Sequence, residues 1–95
     1  MRLRFARRAA LDLIHIQNYT VERWGEPATA AYMERLRSAF ERVSLFARLG
    51  APLVPAYRDA RRLYVERHVV IYRVEKGTIV VLRVLHQQQD PDLPL

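Results

Sequence analysis

Arg61-Arg62-Leu63-Tyr64-Val65-Glu66-Arg67-His68-Val69-Val70-Ile71-Tyr72-Arg73-Val74-Glu75-Lys76-Gly77-Thr78-Ile79-Val80-Val81-Leu82-Arg83-Val84-Leu85-His86 is the stretch that decides the fold. It divides into three runs rich in β-branched and aromatic residues, Arg61–Val65, His68–Glu75 and Thr78–Gln87. Such side chains suit a pleated, half-buried surface. The breaks between the runs, Glu66-Arg67 and Lys76-Gly77, have the length of tight hairpin turns, and glycine strengthens the second. A turn at Lys76-Gly77 pairs Val74 with Ile79, Tyr72 with Val81 and Val70 with Arg83. One face then carries Val69, Ile71, Val80, Leu82 and Val84 and is expected to receive the helices. The other carries Val70, Tyr72, Val74, Val81 and Arg83. An arginine in mid-strand needs a carboxylate, from within the chain or from outside it.

Upstream, the period changes. Arg2 to Phe5 alternates polar and apolar and predicts a short opening strand. From Ala6 the spacing becomes three and four: Ala6, Ala9, Leu13, Ile16 and Thr20 share a helix face, with Leu11, Ile14 and Trp24 beside it. Gly25 is a stop for that helix, and Glu26-Pro27 starts another, because proline at a first helical position gives up no needed N–H. Tyr32, Leu36, Ala39, Phe40, Val43 and Phe46 form the apolar stripe of the second helix, which Gly50 and Pro52 end. Two such helices joined by two or three residues predict an antiparallel helical hairpin. Ala51 to Ala60 has no period and reads as a loop, and Gln87 to Leu95, with Pro91 and Pro94, as a tail or docking segment. The expectation is an α+β fold of order β-α-α-β-β-β, an antiparallel sheet packed on an N-terminal helical hairpin, with residues 1–95 forming one domain.

Composition narrows the function. The chain has 95 residues, 51% of them hydrophobic, enough for one modest core. With no cysteine there is no disulfide, thiol nucleophile or Cys-based zinc site. The basic start, Met1-Arg2-Leu3-Arg4-Phe5-Ala6-Arg7-Arg8, lacks the apolar segment of a secretory signal, and no apolar run nears the roughly 18 residues of a membrane span. A soluble, cytoplasmic protein without membrane contact is expected. Net charge is +6, and of 16 basic residues only Lys76 is lysine, leaving 15 arginines. The guanidinium fork grips carboxylate or phosphate bidentately, so an acidic protein or a nucleic acid suits this surface equally. His15, His68 and His86 lack metal-ligand spacing, and nothing calls for a cofactor. Tyr32, Phe40 and Phe46 read as core. Arg35, Arg37 and Arg42, interleaved with Glu34 and Glu41, read as a solvated ion-paired face, and Asp12 as a surface charge.

The segment Arg67-His68-Val69-Val70-Ile71-Tyr72-Arg73-Val74, then Arg83-Val84-Leu85-His86 with Asp90 four residues on, resembles the C-terminal half of toxins of the ParE/RelE superfamily, in its ParE-like branch. Ala10-Leu11-Asp12-Leu13, Ile16, Tyr19, Trp24-Gly25, Ala31-Tyr32, Leu36 and Phe40 resemble its N-terminal pattern. The resemblance covers nearly the whole chain. It departs at Gln87-Gln88-Gln89, where relatives often have a shorter polar pair, and at Glu66, where a turn glycine is common.

That resemblance implies the toxin component of a type II toxin–antitoxin system. It implies a hetero-oligomer with a cognate ParD-like antitoxin, and DNA gyrase as the target, inhibited by binding rather than by chemistry. Arg58, Arg61, Arg62, Tyr64, Tyr72, Arg73, Arg83 and His86 are the candidate contacts to antitoxin or target. The alternative is a RelE-like ribosome-dependent messenger-RNA endoribonuclease. Cleavage beside a 2′-OH needs a base, an acid and cations to hold the phosphorane charge. Arg62, Arg83 and His86 are the candidates for that work. The loop before the second strand has no lysine, and no tyrosine or histidine follows His86, which weighs against it.

Overall fold

A computed structural model describes residues 1–53 and 59–89. The chain runs from β1 (Arg2–Phe5) into a helical element α1 (Arg7–Leu45), then through β2 (Ala51–Leu53), β3 (Ala60–Val65), β4 (His68–Glu75) and β5 (Thr78–His86) to a 3-10 turn at Gln87–Gln89. The β-strands form a single sheet of order β1-β5-β4-β3-β2.

The helical region differs from the expected pair of helices with a short loop between them. It is one run with one non-helical residue, Gly25, at φ 83 and ψ 176, a backbone open to glycine alone. Thr29 caps the break by donating from its hydroxyl to the Gly25 carbonyl at 2.8 Å, and Pro27 sits just after it, where its missing N–H costs nothing. A straight 39-residue helix would be about 58 Å long, whereas the molecule's greatest extent is 37 Å. Ser44, near the end of the second arm, accepts from the Met1 amino group, and Phe40 meets Phe5 edge-on at 5.0 Å, so that arm ends beside β1, from which the first arm starts. The second arm also stops sooner than its stripe predicts. Leu45 is its last residue, and Phe46 is exposed rather than core.

The sheet is mixed rather than antiparallel. β1 lies parallel to β5, a pairing that needs a long crossover, and α1 together with the other strands supplies it. β2 forms within the stretch expected to be a loop and pairs with β3. Its signal is hidden because Pro52 lies in it, and proline is tolerated only on an edge strand, which β2 is. Lys76 and Gly77, at φ 50 and 75, make the β4–β5 turn, both with the positive φ of a type I′ hairpin.

The register agrees at Val74–Ile79 and Tyr72–Val81 and then slips. An irregularity between Ile71 and Tyr72 puts Val84, not Arg83, opposite Val70, and sets Arg83 opposite Ile71. The helix covers the face of β4 and of the first half of β5 opposite to the one expected, and Leu82, left without a register partner, returns Val84 to the helix side as expected. Val70, Tyr72, Ile79, Val81 and Val84 pack on Ala9, Ile16, Leu36, Ala39, Phe40 and Val43 of α1. Leu53, Ala60, Val69, Ile71 and Leu85 form a second cluster on the far side. Both faces of the central strands are aliphatic, so alternation alone could not tell which one the helix covers.

Candidate functional site

A cleft of about 710 Å³ opens between both arms of α1 and the end of the sheet formed by the β3–β4 turn and the C-terminal part of β5. Its wall from the first arm includes Asp12, Ile16 and Thr20, and Tyr32 faces them from the second. His68, Arg83 and His86 come from the sheet. Four arginines line it (Arg8, Arg35, Arg67 and Arg83) against two carboxylates, Asp12 and Glu66.

Asp12 is the anchor of the cleft. Its carboxylate accepts from Arg83 Nε at 2.9 Å and Nη2 at 3.1 Å, a bidentate fork, and from the backbone N–H of Val84 at 2.9 Å. The side chains are 13% and 22% exposed, so the pair is shielded enough for its geometry to matter to stability. The partner that Arg83 needs is thus supplied within the chain. Asp12 is not the solvated surface charge that its place on the helix predicts. β1 pairs with β5 only as far as Val81, so at Val84 that side of β5 has no partner strand and Asp12 meets the N–H.

Tyr32, His68 and His86 form the second feature. The Tyr32 hydroxyl accepts from the Arg67 N–H at 3.1 Å and lies 2.5 Å from His68 Nδ1. A hydroxyl has one proton to give and two lone pairs to accept with, so Tyr32 donates in this contact when the His68 proton sits on Nε2 and accepts when it sits on Nδ1. His68 is buried enough that desolvation, helped by the nearby charges of His86 and Arg67 and opposed by Asp12, pulls its pKa down to about 4. Burial raises the Tyr32 hydroxyl above its ordinary value. Across the strand pair, His86 stands opposite His68 with ring centroids 5.5 Å apart. Its Nδ1 accepts from the Gln88 N–H at 3.2 Å.

Trp24 and Tyr19 form the rim, both about half exposed, with the Arg67 guanidinium 5.1 Å over the Trp24 ring and Arg23 between the two aromatics. Stacked Arg–Trp pairs are common anchors of protein interfaces.

Of the residues singled out in the sequence, the cleft brings together Arg83 and His86. Arg62 is elsewhere: it pairs in register with Ile71 on the far face, its guanidinium 5.4 Å over the Tyr64 ring. Arg62, Arg83 and His86 therefore do not converge. Arg61 donates to the Gly50 carbonyl at 2.7 Å, and Arg73 pairs with Glu75. Tyr72 is wholly buried. Its hydroxyl donates to the Ala47 carbonyl and accepts from the Gly50 N–H, so it locks the helix exit and offers no surface to a partner. Gly50 is there because a Cβ would lie 2.7–2.9 Å from the Arg62 carbonyl and the Tyr72 ring and hydroxyl. Arg58 lies outside the described residues. Sequence reasoning missed Asp12, Trp24, Tyr32, Arg67 and His68. The available signal was the demand of Arg83 for a carboxylate, with Asp12 one residue before Leu13 on the helix face.

Among the described residues no helix is long and apolar enough to cross a membrane. Residues 3–91 match the family described as the ParE toxin of type II toxin–antitoxin system, parDE. Toxin ParE1 of Mycobacterium tuberculosis is 35% identical over 85 residues, covering 88% of this chain and 87% of that one. The chromosomal ParDE toxin–antitoxin system of P. aeruginosa contains a chain that superposes with a TM-score of 0.79 at 24% identity, covering 90% of this chain and 95% of that one. The RelBE2 toxin–antitoxin complex of Mycobacterium tuberculosis gives 0.64 at 25% identity, with 90% and 88% covered.

Proposed function

The chain belongs to the ParE toxin family of type II toxin–antitoxin systems, and from that premise we propose that it inhibits DNA gyrase by binding and is neutralised by a cognate ParD-like antitoxin in the cytoplasm. One observation carries the choice of binding over catalysis: Asp12, His68 and His86, the acid–base groups gathered around Arg83, are engaged within the fold. Asp12 is held by Arg83 and Val84, and the Nδ1 atoms of His68 and His86 are engaged by Tyr32 and Gln88. No lysine lines the cleft. A ribonuclease would need a group free to take the 2′-OH proton. This cleft instead presents arginines, aromatic rims and N–H donors, which suit recognition.

Purified protein is expected to block supercoiling by gyrase or to trap cleaved DNA, and added antitoxin to relieve the block. Gyrase that supercoils normally in excess toxin would overturn the proposal. The second reading, a message-cleaving enzyme, is favoured by one feature, the gathering of His68, His86 and Arg83 in a single cleft.

A further inference from the structure

His68 and His86 are left with one group each that the fold does not use. His86 Nδ1 accepts from the Gln88 N–H, which leaves its ring proton on Nε2, and His68 carries its own on Nε2 when the Tyr32 hydroxyl donates to its Nδ1. Neither Nε2–H has an acceptor among the described residues, and no buried side-chain donor is left unsatisfied, so both reach solvent through the cleft that both rings line. Arg67 adjoins them. Its backbone carbonyl accepts from the Gln87 N–H, its guanidinium lies over Trp24, and no carboxylate pairs with it among the described residues. We propose that the Nε2–H groups of His68 and His86, beside the Arg67 guanidinium, form an oxyanion seat that takes one carboxylate from an acidic segment of the docking antitoxin.

The charge inventory favours a single carboxylate over a phosphodiester strand. Asp12 cancels Arg83, and Glu66 lies 3.6 Å from Arg35. Of the four arginines lining the cleft, Arg8 and Arg67 are therefore the two without an ion-pair partner among the described residues. A nucleic-acid strand brings a charge at every nucleotide and would also meet the Asp12 and Glu66 carboxylates. A protein segment can place one Asp or Glu at the seat while apolar neighbours rest on the exposed Leu11, Tyr19 and Trp24. A carboxylate that accepts from these N–H groups makes charge-assisted bonds, stronger than neutral ones.

The proposal rests on the antitoxin reading, but its test does not need the antitoxin. The probe is acetate, titrated into the full chain at constant ionic strength against chloride. Dimethyl phosphate and a short oligothymidylate are the comparators, followed by imidazole and guanidinium nitrogen NMR. Both histidines are expected as Nε2–H tautomers, with acetate shifting His68, His86 and Arg67 together more than chloride does. Replacing Arg67 or His86 (Arg67→Ala, His86→Ala) is expected to weaken acetate about tenfold, the equivalent of one charge-assisted bond. Both side chains are exposed, and an unchanged amide spectrum elsewhere shows that the variants fold. An Nδ1–H tautomer at either ring, equal response to chloride, or tighter binding of oligothymidylate than of acetate overturns the seat. If the seat binds acetate while gyrase is unaffected, the seat stands and the gyrase reading falls.

Discussion

On the helix side of the sheet the polar groups reach across the sequence: Asp12 holds Arg83, 71 residues away, and Tyr32 holds His68, 36 away. On the far side the polar contacts of the described residues lie on the more exposed surface, Arg62 over Tyr64 and Glu75 with Arg73 and Arg4, around an aliphatic cluster of Leu53, Ala60, Val69, Ile71 and Leu85. The two faces therefore respond differently to change. A long-range polar contact fixes the distance between α1 and β5, so losing it alters both stability and the shape of the cleft. A local stack on an exposed surface can be lost with little effect on either.

If aliphatic packing holds the far face, Ile71→Ala costs about 3 kcal/mol of unfolding free energy, from lost burial and the cavity left behind. Chemical denaturation measures this, and a loss below about 1 kcal/mol would mean that the cluster packs poorly. Asp12→Ala comes next, at about 2 kcal/mol, because it strands the Arg83 guanidinium and the Val84 N–H in a partly buried place. Arg62→Ala, its counterpart on the far side, is expected within about 0.5 kcal/mol of the parent. Equal costs for the two would erase the distinction between the faces.

The pH dependence sharpens the same contrast. The folded pKa of His68, about 4, lies below its unfolded 6.5. As pH falls from 6.5 towards 4 the unfolded chain takes up a proton that the folded chain refuses. Stability therefore declines across that window and levels off below it. Denaturation midpoints followed from pH 7.5 to 3.5 should carry this slope, and His68→Asn should flatten it. Glu66→Gly in the β3–β4 turn is the smallest effect. Glu66 holds φ 54, so glycine relieves strain of up to about 1 kcal/mol, offset by the loss of the exposed pairing with Arg35.

Much of the fold was legible because local pattern carries it. The three runs from Arg61 to His86 are strands at nearly the expected bounds, the Lys76-Gly77 turn sets the register as far as Tyr72, and Gly25 breaks the helix. What failed depends on contacts that no local pattern encodes. The parallel docking of β1 on β5 joins the two ends of the fold, two aliphatic faces hide which one the helix covers, and no glycine marks the irregularity near Ile71. The site was less legible for the same reason. Arg83 and His86 stood out as polar residues in an apolar strand, whereas Asp12 and Tyr32 look like ordinary helix residues until α1 lies against the sheet. Arg62 and Tyr72 looked like surface contacts because the sequence does not say which face is covered.

We propose, then, a cleft that binds and does not cleave. The most direct test incubates the purified protein with a translating extract and maps message ends at single-nucleotide resolution. No new ends are expected at any pH between 6 and 8.5. Site-specific ends that appear with the parent protein and vanish with His86→Ala would contradict the account and move the chain to the ribonuclease reading.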